Sequence, residues 1–380
     1  MKGKKKIFLI TTVPMSFVFF KGQLLLLKEQ FEVTLISSPE PALFDTAKAN
    51  KVKSKGIGMA REISLFSDLI SLFHLLFYFC RNRPDVLHAN TPKASLLSLA
   101  AAWFCRVNTR IYYVHGLRYQ GTTGIKKMLL MKLEKVSCFF ATDIIAVSNG
   151  VQKVLHSDGI THKKIAVIWN GSVNGIDLNY FDPTHSDLKD IRPTYSIAED
   201  TFVFGFVGRL VSDKGINELV NAFSEINKQH SNTKLLLVGA YENDLDPLLP
   251  QTLSAIRKNP HIIEAGMQSD VRSYLKAMNL LVFPSYREGF GIVLMEAAAM
   301  NIPAISSDII GCNEIIEDGV NGFLIPPKKM DSLLSKMIFA LENRSTVDVM
   351  SKKTRQIVES KFEQNTLWKK TIQHLIKITS

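Results

Sequence analysis

The sequence predicts an α/β protein built as two doubly wound domains. Three observations carry that reading. Short apolar runs alternate with helical patterns along nearly the whole chain. A polar stretch rich in Asn, Asp, Gly, Pro and Ser at 170–200 divides those runs into two series. The length of 380 residues matches two domains at roughly 150 residues each. Strands that alternate with helices form parallel sheets covered on both faces. Two such domains are expected to face each other across a cleft, and ligands of open α/β sheets bind beyond the carboxyl ends of the strands.

The elements follow in order. The opening "MKGKKKIFLITTVPMSFVFFKG" mimics a signal peptide, but it lacks a small-x-small cleavage site, and Pro14 and Lys21 interrupt the apolar run. It reads as a first buried strand at 7–10 and its loop. Strands at 33–37, 86–88, 110–114, 144–147 and 165–168 complete the first series. Residues 63–80 have about the length of a membrane span, yet Asp68, His74 and several Ser and Cys positions break the run. A helix packed on a sheet, or dipping into a membrane surface, fits better. Residues 125–140 alternate Lys126, Lys127, Lys132 and Lys135 with Met, Leu and Phe, the pattern of a basic amphipathic helix suited to an anionic bilayer. The loop "KANKVKSKG" offers a second basic contact. Strands at 202–207, 234–238, 262–265, 280–283 and 304–306 form the second series. The expected boundaries are 1–170, a linker at 171–200, a second domain at 201–360 and a terminal helix at 361–380. Phe362, Leu367, Trp368, Ile372 and Leu375 make most of one face of that helix, which is free to cross back to the first domain.

Bulk properties narrow the function. The net charge of +11 favours an anionic partner. Cys80, Cys105, Cys138 and Cys312 are far apart, which argues against a metal cluster or a disulfide framework. No stacking aromatics or recognised module accompany the charge, so a nucleic-acid partner is not expected.

Chemistry concentrates in the second series. Glu288 and Glu296 stand eight residues apart, with Gly289–Phe290–Gly291 between them and an alanine-rich helix following. The glycines admit a ligand to the backbone, and the first turn of a helix suits a phosphate. From Phe290 to Glu296 such a helix rises about 9 Å, and side chains lean back toward its start. Glu296 therefore reaches hydroxyls attached near a bound phosphate, and the adjacent pair on a ribose suits a carboxylate. Earlier, "FVFGFVGRLVSDKGINEL" ends a strand at Val207–Gly208, sets Arg209 at its tip and places Lys214 just before another helix. Arg grips a diphosphate through paired N–H bonds and Lys adds a point charge.

"GRLVSDKG" and "EGFGIVLMEA" together resemble the signature of retaining GT-B glycosyltransferases, and more narrowly of family four. "RPDVLHAN", "VHGLRYQGTTG", "DIIAVSNGVQ", "NGIDLNYFDP" and "CNEIIEDGVNGFLIPP" are similar to its other pieces, in the expected order. The amino-terminal half most resembles capsule and lipid-linked oligosaccharide enzymes. The resemblance implies transfer of a sugar from a nucleotide-diphosphate donor, a UDP-sugar by preference, to a polyprenyl-diphosphate-linked saccharide. It implies that Arg209 and Lys214 hold the diphosphate and that Glu296 binds the ribose. Glu288, with Gly289, Phe290, Gly291 and Ile292, meets the donor sugar and phosphate. Gly208 belongs to the donor-binding set, and Met267 with its neighbours packs on the base. His115 matches a histidine facing the transferred sugar. Many relatives carry a Gly-Gly pair after the first strand. Here only Gly22 is present, with Lys21 beside it as a substitute acceptor contact.

No cofactor is expected, since the nucleotide sugar is a substrate. No metal is expected either, although "DLD" at 244–246 resembles a D-x-D motif. The expected location is the cytoplasmic face of the plasma membrane, held peripherally. A UDP-sugar 2-epimerase of the same architecture, or a catalytically silent scaffold, remains an alternative.

Overall fold

The computed structural model describes residues 3–60, 64–242 and 246–380. The chain forms two compact units. The first runs to Gly175 and takes back Asn365–Ser380, and the second is Ile176–Gln364.

The first unit holds seven strands: β1 (Lys5–Ile10), β2 (Phe31–Ser37), β3 (Lys53–Gly56), β4 (Val86–Ala89), β5 (Thr109–Val114), β6 (Asp143–Ala146) and β7 (Ile165–Val167). All pair in parallel, in the order β3-β2-β1-β4-β5-β6-β7. Its central strands are nearly continuous hydrophobic runs because both faces are covered. The strand order reverses at β1, which pairs with β2 on one side and β4 on the other. The loops leaving β1 and β4 meet there, where Thr12 and Thr91 share a hydroxyl contact of 2.8 Å.

The second unit holds β8 (Phe202–Val207), β9 (Thr233–Val238), β10 (Ile262–Gly266), β11 (Leu280–Phe283), β12 (Ala304–Ser307) and β13 (Gly322–Ile325). These are again parallel, in the order β10-β9-β8-β11-β12-β13. Its reversal lies between β8 and β11, the two strands that carry the conspicuous motifs.

Several expectations change in detail. Residues 176–200, read from composition as linker, belong to the second unit. Phe181, Ile191 and Ile197 are buried, and Arg192 donates to the carbonyls of Ala198 and Ala277 and to Asn279 Oδ1. The basic loop "KANKVKSKG" is not a loop. It is the end of the helix Pro41–Asn50 followed by edge strand β3, which alternates polar side chains outward and pairs Lys53 with Glu32 of β2. An exposed edge tolerates such a polar strand, so it lacked the apolar signature. Strand β13 was also not foreseen. The terminal helix expected at 361–380 is Gln364–Thr379, preceded by a separate helix, Arg344–Phe362, that takes in Phe362. They break at Glu363, where the Ile176 amide donates to the Phe362 carbonyl and the Gln364 amide donates to that of Ile176. Phe362 therefore closes one helix, and Leu367, Thr371, Leu375 and Thr379 form the buried face of the other. Among the described residues no helix is long and apolar enough to cross a membrane. Asp244 of the D-x-D stretch lies outside the described residues.

Candidate functional site

The second unit gathers its charged groups at the β8/β11 reversal, where a parallel sheet opens a crevice. After β8 the chain passes Gly208 and Arg209, then a short 3-10 turn at Ser212–Lys214, then the helix Ile216–Gln229. Gly215 joins turn to helix with φ +73°, and a Cβ there would fall 2.2 Å from the Pro284 carbonyl oxygen. Only glycine allows that approach, which presses the Lys214 turn against the loop leaving β11.

The result is a Lys214–Glu288 ion pair, with side chains only 16% and 14% exposed. Ser285 Oγ donates to the same Glu288 oxygen at 2.9 Å, and the Lys214 ammonium lies 5.4 Å from the Phe283 ring centre. Two residues singled out from separate motifs thus meet. Arg209 does not join them. It is exposed and pairs with Glu242 after β9. Nearby, Arg287 binds Asp213 at 2.7 Å, and the Tyr286 hydroxyl donates to Glu218 at 2.5 Å. Sequence reasoning passed over Ser285, Asp213, Glu218, Glu242 and Tyr286. Asp213 and Glu218 sit inside the quoted 202–219 stretch, but their partners Arg287 and Tyr286 lie 74 and 68 residues away, and Glu242 lies 33 from Arg209, so none leaves a local signal.

The helix Ile292–Ala299 begins at Gly291. The Gly291 amide already donates to the Gly311 carbonyl at 3.0 Å, and that of Ile292 to Phe290. The amides of Phe290 and Val293 have no partner among the described residues. Of the amides expected to meet the donor around Phe290–Gly291, that of Phe290 is therefore open and that of Gly291 is already bonded. The Phe290 ring is buried edge-on against Phe362. One turn on, Glu296 is half-buried, and its carboxylate has no hydrogen-bond or ion-pair partner among the described residues. Desolvation alone pushes its pKa up to about 7. Met267, at the end of β10, is 81% exposed. Among the described residues no group of three or more His, Cys, Asp or Glu stands ready to hold a metal ion.

In the first unit, His115 follows β5. Its ring lies between Phe19 and Tyr113, with centroid distances of 4.5 and 4.4 Å. Asn90 Nδ2 donates to the carbonyls of Ile10 and His88, which turns Asn90 Oδ1 toward His115 Nε2 at 3.3 Å. That acceptor assigns the proton to Nε2 and leaves Nδ1, buried and without a partner among the described residues, as a bare acceptor. Burial, with His88 nearby, holds the pKa of His115 down at about 3, so the imidazole is neutral. Phe19 belongs to the 3-10 turn Pro14–Phe20, which occupies the loop after β1. Gly22, with φ +78°, caps the helix Gln23–Gln30 and lies against the Trp368 indole, where a Cβ would meet ring carbon at 2.2 Å. The Lys21 carbonyl accepts from Asn174, and its side chain is exposed.

Comparison with known proteins agrees with this architecture. Residues 25–173 match the family model described as Glycosyltransferase Family 4, and residues 187–357 that described as Glycosyl transferases group 1. The capsular polysaccharide biosynthesis glycosyltransferase CapM of Staphylococcus aureus is 33% identical over 96% of this chain and 95% of its own. The Escherichia coli UDP-Gal:alpha-D-GlcNAc-diphosphoundecaprenol alpha-1,3-galactosyltransferase is 28% identical over 89% of this chain and 87% of its own. Among solved structures, HepE of Anabaena in complex with UDP-glucose superposes with a TM-score of 0.81 at 20% identity, covering 98% of this chain and 99% of that one. Identity of this extent over both halves makes the chain a family-four glycosyltransferase of GT-B architecture, related to the enzymes of capsular and lipid-linked saccharide assembly.

Proposed function

We propose that the protein transfers a hexosyl or N-acetylhexosaminyl unit, with retention at the anomeric carbon, from a UDP-sugar to a saccharide carried on a polyprenyl diphosphate. The observation that carries this reading is Glu296, a half-buried carboxylate with no hydrogen-bond or ion-pair partner among the described residues, one helical turn past the open amide of Val293 and in the same unit as the Lys214–Glu288 pair. A carboxylate that packing has stripped of much of its water is costly unless a ligand satisfies it. Two ribose hydroxyls donate to Glu296 in this proposal. Arg209, Lys214 and the amides of Phe290 and Val293 take the diphosphate. Met267 lies against the base, and Gly208 leaves room for the phosphates. The names of the E. coli and S. aureus relatives support the donor class, the lipid-diphosphate acceptor and a role in surface polysaccharide assembly.

In the reaction, the bond from the anomeric carbon to the diphosphate oxygen breaks, and a bond from the acceptor oxygen forms on the same face. The acceptor proton passes to the departing diphosphate. Charge grows on that diphosphate, where preorganised cations and amides act most strongly. Retention by double displacement needs a free carboxylate nucleophile. Glu288 is held by Lys214 and Ser285 instead, which favours the same-face route and a purely electrostatic role. The proposed mechanism uses no metal. His115, neutral and fixed through Asn90, serves the transferred sugar, and Lys21 and Gly22 lie on the acceptor side. The protein works peripherally on the inner face of an anionic membrane.

The test is product analysis with a panel of UDP- and GDP-sugars and a lipid-linked acceptor. Transfer from a UDP-sugar, with the anomeric configuration kept, is expected. Isomerised donor without transfer, or an inverted product, overturns the proposal.

A further inference from the structure

The first unit contains a second chemical feature that the donor site does not use. A cavity of about 260 Å³ lies among the helices Leu65–Asn82, Pro92–Phe104 and Gly124–Phe140. Leu65, Leu96, Leu97, Leu130 and Leu133 supply its apolar wall. Its volume falls below the roughly 300–1,000 Å³ of pockets that enclose drug-sized molecules. It suits a stretch of hydrocarbon rather than a nucleotide sugar.

The polar lining is concentrated where the chain leaves the sheet. Lys93 follows β4 and Arg118 follows β5, three residues beyond His115. Lys93 pairs with Asp68 at 2.7 Å, and Arg118 is exposed without a partner among the described residues. Glu134, buried at the wall, accepts from the Tyr112 hydroxyl at 2.5 Å. Burial pushes its pKa up to about 7, so it contributes only part of a negative charge at neutral pH. Asp68 also lines the cavity and offsets Lys93, so the excess positive charge at the end nearest His115 comes from Arg118, and that end suits an anion.

The outer faces of two of these helices are apolar and uncovered. Phe66, Leu69, Ile70, Phe73 and Phe77 recur at helical spacing along one face and are 43–79% exposed. Ile125, Leu129, Val136 and Phe139 form a matching stripe on Gly124–Phe140, with Lys132 among them. Faces of this kind lie in a lipid interface, basic groups toward the head groups. The cavity thus connects an apolar surface to the cationic end of the sheet.

We propose that this cavity holds the head-proximal stretch of an isoprenoid chain, with Lys93 and Arg118 at its diphosphate. The proposal rests on the lipid-diphosphate acceptor inferred above and names where that lipid is recognised.

The test titrates the full chain with farnesyl diphosphate, farnesol, inorganic pyrophosphate and straight-chain octyl phosphate, by calorimetry or native mass spectrometry. UDP binding is measured in parallel on every variant. Farnesyl diphosphate is expected to bind one to one, at least tenfold more tightly than either farnesol or pyrophosphate. Leu96→Trp and Leu133→Trp, which fill the cavity, should weaken it at least tenfold while UDP binding stays unchanged. Arg118→Glu should do the same without filling space. Unaltered binding in both filled variants overturns the proposal, as does octyl phosphate binding equally well. Lipid binding with no UDP binding sinks the transferase reading alone. UDP-dependent transfer without farnesyl diphosphate binding sinks only the cavity assignment.

Discussion

Glu296→Gln separates ligand binding from stability. The Glu296 carboxyl titrates near 7 in the folded protein, against an ordinary value of 4.5. A carboxyl whose folded value is raised holds its proton more tightly when folded. Its contribution is therefore best at low pH and deteriorates as pH rises from the unfolded value to the folded one. The gap of 2.5 pH units, at 1.36 kcal/mol each, sets a ceiling of about 3 kcal/mol above pH 7. Only about 1 kcal/mol of that cost is present at pH 5. Gln keeps the shape and cannot ionise. The variant should thus melt close to the wild type at pH 5 and several degrees higher at pH 8, at about 2–4 °C per kcal/mol for a unit of this size. Its affinity for UDP should move the other way. Replacing a charged acceptor of ribose hydroxyls costs about 1.5–3 kcal/mol, or roughly 10- to 100-fold. Wild-type affinity for a UDP-sugar, whose phosphates do not titrate in this range, should rise with pH up to about 7 and then level. The variant should show a flat profile. Differential scanning fluorimetry at both pH values, with calorimetric titration of UDP-glucose, reads all three effects. A variant that binds as tightly as the wild type, or gains no stability at pH 8, refutes the carboxylate's assigned role.

The other predictions concern the cations and the turn that holds them. Lys214→Ala should destabilise the second unit by about 3–5 kcal/mol, because it strands the poorly exposed Glu288 carboxylate. Denaturant titration should show much of that recovered in Lys214→Ala/Glu288→Gln, while turnover stays lost. Arg209→Ala should leave stability within about 1 kcal/mol, since its pair with Glu242 is exposed. Its kcat should nonetheless fall roughly 100- to 1,000-fold, and near-wild-type turnover with saturating donor contradicts the diphosphate assignment. Gly215→Ala should lower the thermal midpoint and the affinity for UDP together, since the added methyl displaces the Lys214 turn from Pro284. A variant with both unchanged shows that the close approach is not needed.

Much of the fold was legible because buried parallel strands write themselves as short apolar runs, and those runs alternate with helices. Edge strand β3 escaped because an exposed edge carries Lys and Ser rather than an apolar code. The stretch at 176–200 escaped because its order comes from Arg192 and scattered buried side chains, not from periodicity. For the site, the motifs named Arg209, Lys214, Glu288 and Glu296, since local turns and helix starts govern where those side chains emerge.

The sequence alone determined the parallel α/β architecture, the family and the inventory of charged groups, all of which follow from local pattern and motif order. Tertiary structure decided which groups meet: Lys214 with Glu288, Arg209 with Glu242, and His115 with Asn90 and Phe19. It also left Glu296 without a partner among the described residues. Pairing across 25 to 96 residues depends on how strands are ordered in a sheet, and desolvation depends on everything packed around a group. Neither quantity is encoded in any short stretch of chain.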